Sequence, residues 1–256
     1  METELTFLGT GTSQGAPVIA CPCKVCASVD VRDRRLRTSV WIRSKGVSVV
    51  IDAGPDFRYQ MLRARVSTLD AILVTHAHRD HISGLDDIRA YNYVQGKPMD
   101  IYAEPFVQEA LRNDYSYVFK ETKYPGIPEM QLHDIDPAHP FHVGALQFQP
   151  IRVMHMNLPI LGFRLNGLAY VTDASAISDA EMEKLNGLDV LVINALRKKE
   201  HISHFSLAQS LEVIHRVKPK RAYLTHLSHQ IGLHADLQRE LPKDVFVAYD
   251  GLTIGV

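Results

Sequence analysis

Six short apolar runs, each ending abruptly at a small or polar residue, constrain this chain more than any other feature. They are residues 5–8 before Gly9, 47–51 before Asp52 and 71–74 before Thr75-His76. Later come 169–171 before Thr172-Asp173, 190–193 before Asn194, and 222–224 before Thr225-His226. Runs this short and this rich in β-branched residues read as buried strands. Side chains capable of chemistry follow the carboxyl end of strand after strand, as when rigid strands present a site on their loops. Helical periodicity fills the gaps, over residues 56–65, 85–93, 104–112, 178–188, 206–217 and 234–241. Ser206-Leu207-Ala208-Gln209 fits a capping box, Leu207, Leu211 and Ile214 recur at helical spacing, and Pro219 supplies the stop. Residues 113–143 are rich in Tyr, Pro and His with weak periodicity, and read as an excursion over the site in the position of a lid. Strands and helices alternate through both halves. The 256 residues are therefore expected to form a single layered α/β domain, 1–256, large enough for one substantial core.

Charge and cysteine usage narrow the function. A formal net charge of −1 gives no global field for nucleic acid or an anionic membrane, so any anionic substrate must be recognised locally. No apolar run approaches the ~20 residues that cross a bilayer. The start, Met1-Glu2-Thr3-Glu4, lacks the basic and apolar regions of a signal peptide. All three cysteines lie between Cys21 and Cys26, which favours metal binding in a reducing compartment over a secreted disulfide framework. A cytoplasmic location is expected.

The densest chemistry is His76-Ala77-His78-Arg79-Asp80-His81, an H-x-H-x-D-H motif directly after a strand, with Ser83-Gly84 opening the next helix. An extended segment turns His76 and His78 to one side, and the turn toward the helix returns Asp80 and His81 to the same region. Four ligands this close in sequence cannot comfortably surround one ion, so two subsites are needed. Imidazoles with a carboxylate suit zinc, manganese or iron. A chance cluster of surface histidines is the bland alternative, and the strand-end position argues against it.

The motif resembles that of the metallo-β-lactamase superfamily, and the resemblance runs from Leu8-Gly9-Thr10-Gly11 through Ile51-Asp52-Ala53-Gly54 to Thr225-His226 and Asp250-Gly251. It implies an αββα sandwich with a two-metal site along its edge. Carried over residue by residue, His76, His78 and His155 would hold one divalent ion, Asp80, His81 and His226 the other, and Asp173 would bridge them. His155 follows the strand run 146–153. Asp52 would orient a ligand histidine by hydrogen bond. An aspartate at the bridging position, where true β-lactamases have cysteine, points to phosphodiesterases and thioesterases. Catalysis would rest on Asp80 and on His204, which occupies the family's general-acid position, with His201 in reserve; as a cation His204 would bind a phosphoryl oxygen and protonate the leaving alkoxide.

Cys21-Pro22-Cys23-Lys24-Val25-Cys26 is C-x-C-x-x-C, and three thiolates need a fourth ligand to close a tetrahedral structural zinc site. Inert buried cysteines, or one disulfide with a free thiol, are the alternatives. Within the superfamily the chain most resembles the phosphoribosyl 1,2-cyclic phosphate phosphodiesterases, whose cysteine cluster is closed by a histidine three residues beyond the last catalytic one; here that is His229. The resemblance implies a metal-dependent phosphodiesterase acting on small, cyclic ribose or nucleotide-like phosphodiesters through a hydroxide shared by two metals (Zn, Mn or Fe), with one structural Zn. A homodimer is implied as well, and neither a membrane nor a large nucleic acid as partner. A ribonuclease Z-like nuclease would carry a longer basic arm, and a glyoxalase II-like thioester hydrolase would lack the cysteine cluster. A non-catalytic nucleotide-binding module would be expected to have lost a ligand.

The remaining candidates are weaker. The turn Gly9-Thr10-Gly11-Thr12-Ser13-Gln14-Gly15 lacks a Gly-Lys-Ser/Thr ending, and reads as a floor beneath the metals rather than a nucleotide loop. His133, His139 and His142 are expected to face solvent, and Tyr115, Tyr117 and Tyr124 either line the lid or pack locally. Arg32, Arg34, Arg35 and Arg37 read as a solvated basic face.

Overall fold

The computed structural model describes residues 3–120 and 124–256. Its first half contains β1 (Glu4–Gly9), a 3-10 turn (Val31–Asp33), β2 (Ser39–Ser44), β3 (Val47–Ile51), α1 (Phe57–Ala64), β4 (Ala71–Leu73) and α2 (Arg79–Ile82). A second 3-10 turn (Leu85–Ile88), α3 (Arg89–Gln95), β5 (Met99–Ala103), α4 (Pro105–Asp114) and β6 (Met130–Asp134) follow. The second half runs through β7 (Phe141–Val143), β8 (Leu146–His155), β9 (Leu158–Leu165), β10 (Leu168–Val171), α5 (Asp179–Glu183) and β11 (Val190–Asn194). It continues with α6 (Leu207–Val217), β12 (Arg221–Thr225), α7 (His234–Glu240), β13 (Val245–Val247) and β14 (Thr253–Gly255).

Two seven-stranded sheets result, ordered β14-β1-β2-β3-β4-β5-β6 and β13-β12-β11-β10-β9-β8-β7. β3 to β6 pair in parallel, as do β10 to β13. β14 crosses back to the first sheet, setting Ile254 opposite Leu5.

Uninterrupted apolar strands are what a sheet covered on both faces requires. In β10, Leu168 and Tyr170 face the space between the sheets, while Ala169 and Val171 join the layer beneath the second-half helices. β11 divides the same way, Val190 and Val192 inward and Leu191 and Ile193 outward. A third apolar layer, holding Phe57, Ile72, Ile88, Tyr91 and Leu111, packs the first-half helices onto the other sheet. The arrangement is the αββα sandwich, the α+β form of a layered fold.

At three strand exits a residue of the site itself takes up a left-handed backbone. Asp52 after β3, Asp173 after β10 and His226 after β12 have φ of 65°, 57° and 52°. A non-glycine residue in the left-handed region costs about 1–3 kcal/mol and persists only where its surroundings hold it there. Each turn breaks the chain out of its sheet at the edge where the histidine motif sits.

The structure departs from the sequence reading in three places. The helix expected over 85–93 is a 3-10 turn followed by α3, and that expected over 178–188 ends as α5 at Glu183. The 113–143 segment, apart from residues 121–123, which lie outside the described residues, is no lid. It supplies β6 and β7, edge strands of the two sheets, and Tyr115, whose hydroxyl donates to the Ile82 carbonyl at 2.7 Å. Edge strands tolerate proline and polar residues because one side of their ladder is unpaired.

The exit of β3 is stitched to α2 by Ala53 N–H to the His81 carbonyl (2.7 Å) and Gly84 N–H to the Ala53 carbonyl (2.9 Å). A Cβ on Gly54 would sit 2.0 Å from the Asp80 carbonyl oxygen. Gly54→Ala is therefore expected to destabilise by about 1–3 kcal/mol. At roughly 2–4 °C per kcal/mol for a chain of this size, thermal melting followed by circular dichroism should show a lower midpoint, and an unchanged one would contradict the contact.

Candidate metal centre

Two groups of ligand atoms meet where the sheet edges open. His76 leaves β4 through Thr75, His78 lies two residues on, and His155 ends β8; their ligand atoms all lie within 4.8 Å of one another. His155 Nδ1 lies 2.9 Å from the Asp173 carbonyl and 2.8 Å from that of Ser203. Carbonyls only accept, so Nδ1 carries the proton and Nε2 keeps its lone pair. His76 Nε2 is buried and has no hydrogen-bond partner.

The second group is Asp80 and His81 on α2, Asp173 after β10 and His226 after β12. His81 Nε2 lies 3.4 Å from Asp80 Oδ2 and 3.4 Å from Asp173 Oδ2, and His226 Nε2 lies 3.0 Å from Asp173 Oδ1. Burial alone would strip the proton from His81, but the Asp173 and Asp52 carboxylates outweigh it and hold its pKa well above the usual histidine range. Burial likewise opposes ionisation of Asp173, and His226 and His81 reverse it, holding the carboxyl well below its ordinary value. Behind the group, His81 Nδ1 donates to Asp52 Oδ2 at 2.7 Å. The same carboxylate receives the Thr75 N–H at 2.8 Å and the Thr75 hydroxyl at 2.9 Å.

His204 adjoins both groups. Its Nε2 is 3.2 Å from Asp173 Oδ1, and its ring stacks on His226 with centroids 4.9 Å apart. It forms a third ligand-like group with His155 and Asp173. The sequence reading makes it a cation, whereas burial pushes its pKa down to about 4. The ring is thus neutral near pH 7, and needs an arriving anion to favour its charged form. His201 stands behind it, the two Nδ1 atoms 3.3 Å apart, with the Ser203 hydroxyl touching both.

Cys21, Cys23, Cys26 and His229 converge separately. Their Sγ atoms lie 3.3, 3.3 and 3.6 Å from His229 Nδ1, a compact Cys₃His set. The Cys26 backbone N–H and His229 lower the Cys23 thiol to about 6, favouring the thiolate a metal needs. Leu227 N–H donates to the Thr10 carbonyl at 2.8 Å, so the loop carrying the cysteines is tied to the segment carrying His226.

Several minor expectations are corrected. The arginine run is not a uniform solvated face: Arg35 is 2% exposed and donates to Thr10 and to the Ala248 carbonyl, while Arg32 pairs with Asp30 and Arg37 with Asp56. His133 does not stand free in solvent but bonds Asp100 at 2.6 Å and stacks on Tyr102; His139 and His142 are exposed. Tyr117 bonds Asp86 and Tyr124 is exposed, and neither lines the cleft. Thr12, Ser13 and Gln14 of the glycine turn form a wall of the cleft. Sequence reasoning passed over Thr75 and Thr172, whose hydroxyls bond Asp52 and Asp173. The signal was present, a threonine before the ligand at three strand ends: Thr75-His76, Thr172-Asp173 and Thr225-His226.

Comparison with known proteins agrees with this geometry. A family model described as a β-lactamase superfamily domain matches residues 48–227. A crystal structure described as a new diphosphatase from the PhnP family superposes with a TM-score of 0.94 at 39% identity, covering 100% of this chain and 98% of that one. An octanoyltransferase of Porphyromonas gingivalis is 41% identical over 248 residues, 96% of this chain and 50% of that protein. A ribonuclease Z of Thermosynechococcus vestitus is 27% identical over 191 residues, 73% of this chain and 41% of that protein. The chain thus spans about half the length, or less, of these two curated relatives. With its matched region, its sandwich and its histidine and aspartate groups, the chain belongs to the β-lactamase superfamily, close to the PhnP family within it.

Proposed function

We propose that the chain is a phosphodiesterase acting on small phosphodiesters, cyclic ribose phosphates among them, at a centre for two divalent ions. The observation that carries this reading is the division of seven ligands into two groups with Asp173 beside both: its carbonyl holds His155, and its carboxylate lies among Asp80, His81 and His226. The residues fit metal. His76 buries an Nε2 without a hydrogen-bond partner, an atom that is costly unless something binds it, and the Nε2 atoms of His81 and His226 are buried against the carboxylates of their own group. Two divalent ions held there would supply Lewis acidity and water activation near neutral pH. His204 Nε2 faces the shared carboxylate, where, once a bound anion favours its charged form, it would bind a phosphoryl oxygen and give a proton to the departing alkoxide.

Size and charge favour a small substrate. The cleft encloses about 260 Å³, and among the described residues no Lys, Arg, Phe, Tyr or Trp lines it. A long nucleic acid would call for basic side chains along its backbone and aromatic platforms for its bases. The diphosphatase name of the similar crystal structure favours a second reading, cleavage of a diphosphate at the same centre. Octanoyl transfer is left with its own protein, of which this chain matches half.

The test is turnover of bis(p-nitrophenyl) phosphate, a cyclic ribose phosphate, a diphosphate ester and a thioester, with metal analysis. His204→Ala is expected to lower kcat roughly 10²–10⁴-fold with metal content kept, and Asp80→Ala to lose both turnover and metal. Thioester cleavage alone would overturn the phosphodiester reading, and diphosphate cleavage alone would select the second one. Wild type should carry about three ions per chain, counting a zinc on the cysteine cluster. Cys23→Ser should lose that zinc and weaken turnover indirectly, by loosening the loop that braces His226. Full activity and full metal content in that variant would refute the link.

A further inference from the structure

Thr75 is fully buried, and its hydroxyl joins the two ligand groups. Asp52 Oδ2 accepts from His81 Nδ1 at 2.7 Å and from the Thr75 hydroxyl at 2.9 Å, while Oδ1 accepts the Thr75 N–H at 2.8 Å. The Thr75 hydroxyl also lies 2.9 Å from His76 Nδ1. The Thr75 hydroxyl donates its single proton to Asp52 Oδ2. The oxygen then has lone pairs left, and the contact with His76 is a bond donated by His76 Nδ1–H. The chain of bonds runs from His76 Nδ1–H to the Thr75 oxygen, from its hydroxyl to Asp52, and to the same carboxylate from His81 Nδ1–H.

The consequence falls on the opposite nitrogens. Both rings carry a proton at Nδ1 on this side, which leaves Nε2 as the nitrogen each turns to the centre: that of His76 is buried without a hydrogen-bond partner, and that of His81 faces the Asp80 and Asp173 carboxylates. His76 belongs to one ligand group and His81 to the other, their ring centroids 4.1 Å apart. Asp52 reaches His81 directly and His76 only through the hydroxyl. Resting on the two-metal reading, we propose that Thr75 is a positioning residue that extends one buried carboxylate, which orients His81 in one metal subsite directly, to the ring orientation and tautomer of His76 in the other. A partner of this kind behind a ligand histidine is typically worth 10–100-fold in metal affinity.

The test compares Thr75→Val, which keeps the shape and removes the hydroxyl, with Thr75→Ser, which keeps the hydroxyl and removes the methyl. Each variant is stripped of metal, checked for an unchanged circular dichroism spectrum, and titrated with Co(II) while the visible absorption of the bound ion is followed. Thr75→Val is expected to weaken one of the two Co(II) binding steps about 10–100-fold and to alter the absorption bands of that ion. Thr75→Ser should restore both. Asp52→Asn should weaken both steps, since both histidines depend on the carboxylate.

A packing role predicts the reverse order, with Thr75→Ser affected and Thr75→Val like wild type, and that result overturns the proposal. So does wild-type Co(II) binding in Thr75→Val. Wild type that binds Co(II) at the cysteine cluster alone would instead overturn the two-metal reading itself. If Thr75→Val fails to fold, Thr75→Cys serves in its place. Its sulfur is a weaker acceptor, so wild-type affinity in that variant counts against the proposal.

Discussion

A carboxylate with no access to water has to have its oxygens saturated, and Asp52 meets that condition only where four segments of the chain meet. It is 0% exposed. Its own carbonyl accepts from the Ser39 hydroxyl at 2.8 Å, at the start of β2, and its N–H donates to the Leu73 carbonyl at 2.9 Å, at the end of β4. Its side chain takes the Thr75 and His81 donors. Burial raises its pKa above the ordinary carboxylate value, and His81 and Thr75 offset only part of that rise by stabilising the anion. A buried anion whose partner is removed costs several kcal/mol, so β2, β3, β4 and α2 are held in one arrangement by what Asp52 requires. The left-handed backbone at Asp52 and the close approach at Gly54 are the geometric terms of the same junction.

With that junction fixed, the sandwich assembles the centre from two sources. The first half brings His76, His78, Asp80 and His81 on one continuous stretch; the second brings His155, Asp173 and His226 from three strand ends. Neither set is closed by itself. Their meeting depends on sheet-on-sheet packing, in which Phe7, Phe148, Phe163 and Tyr170 share one buried layer. Tyr170 extends this link to the polar edge, its hydroxyl 3.2 Å from Thr38, which lies 3.4 Å from the Thr225 hydroxyl just before His226. Cross-sheet apolar burial therefore sets the distance between the halves, and hydroxyls at the rim set the angle of the ligands.

How much of this was legible in the sequence follows from how local each signal is. The histidine motif lies within six residues and its strand ends at a threonine, so both sheet edge and ligand density could be read directly. The capping box at Ser206 is as local, and the structure has both of its bonds. β9, with Pro159, Gly162 and Arg164 among its apolar residues, offers no clean run, and its identity comes from pairing with β8 along its length. Arg35 looks like any member of a basic run; only the fold reveals that Thr10 and the Ala248 carbonyl draw it inside. The partners of Asp52 are 23 and 29 residues away in sequence, beyond the reach of any periodicity. Ligands are visible because chemistry restricts residue type, whereas the groups that aim them are ordinary threonines and carbonyls chosen by position.

The electrostatic balance of the cleft bears on the proposed substrate. Asp80 and Asp173 face it, and no Lys or Arg among the described residues does. Both carboxyls are held below their ordinary range against the pull of burial, by His81 on Asp80 and by His226 and His81 on Asp173. Unaided, such a surface repels a phosphodiester, and the chain's net charge of −1 gives no longer-range attraction to offset it. The ligand set is thus suited to a small anion only together with divalent cations on the buried Nε2 atoms, and the same cations would reverse the repulsion for whatever anion sits beside His204. A polyanion would gain that compensation at one phosphate, and among the described residues no Lys or Arg lining the cleft would receive the next. A compact phosphodiester needs no more than the one place where charge is balanced.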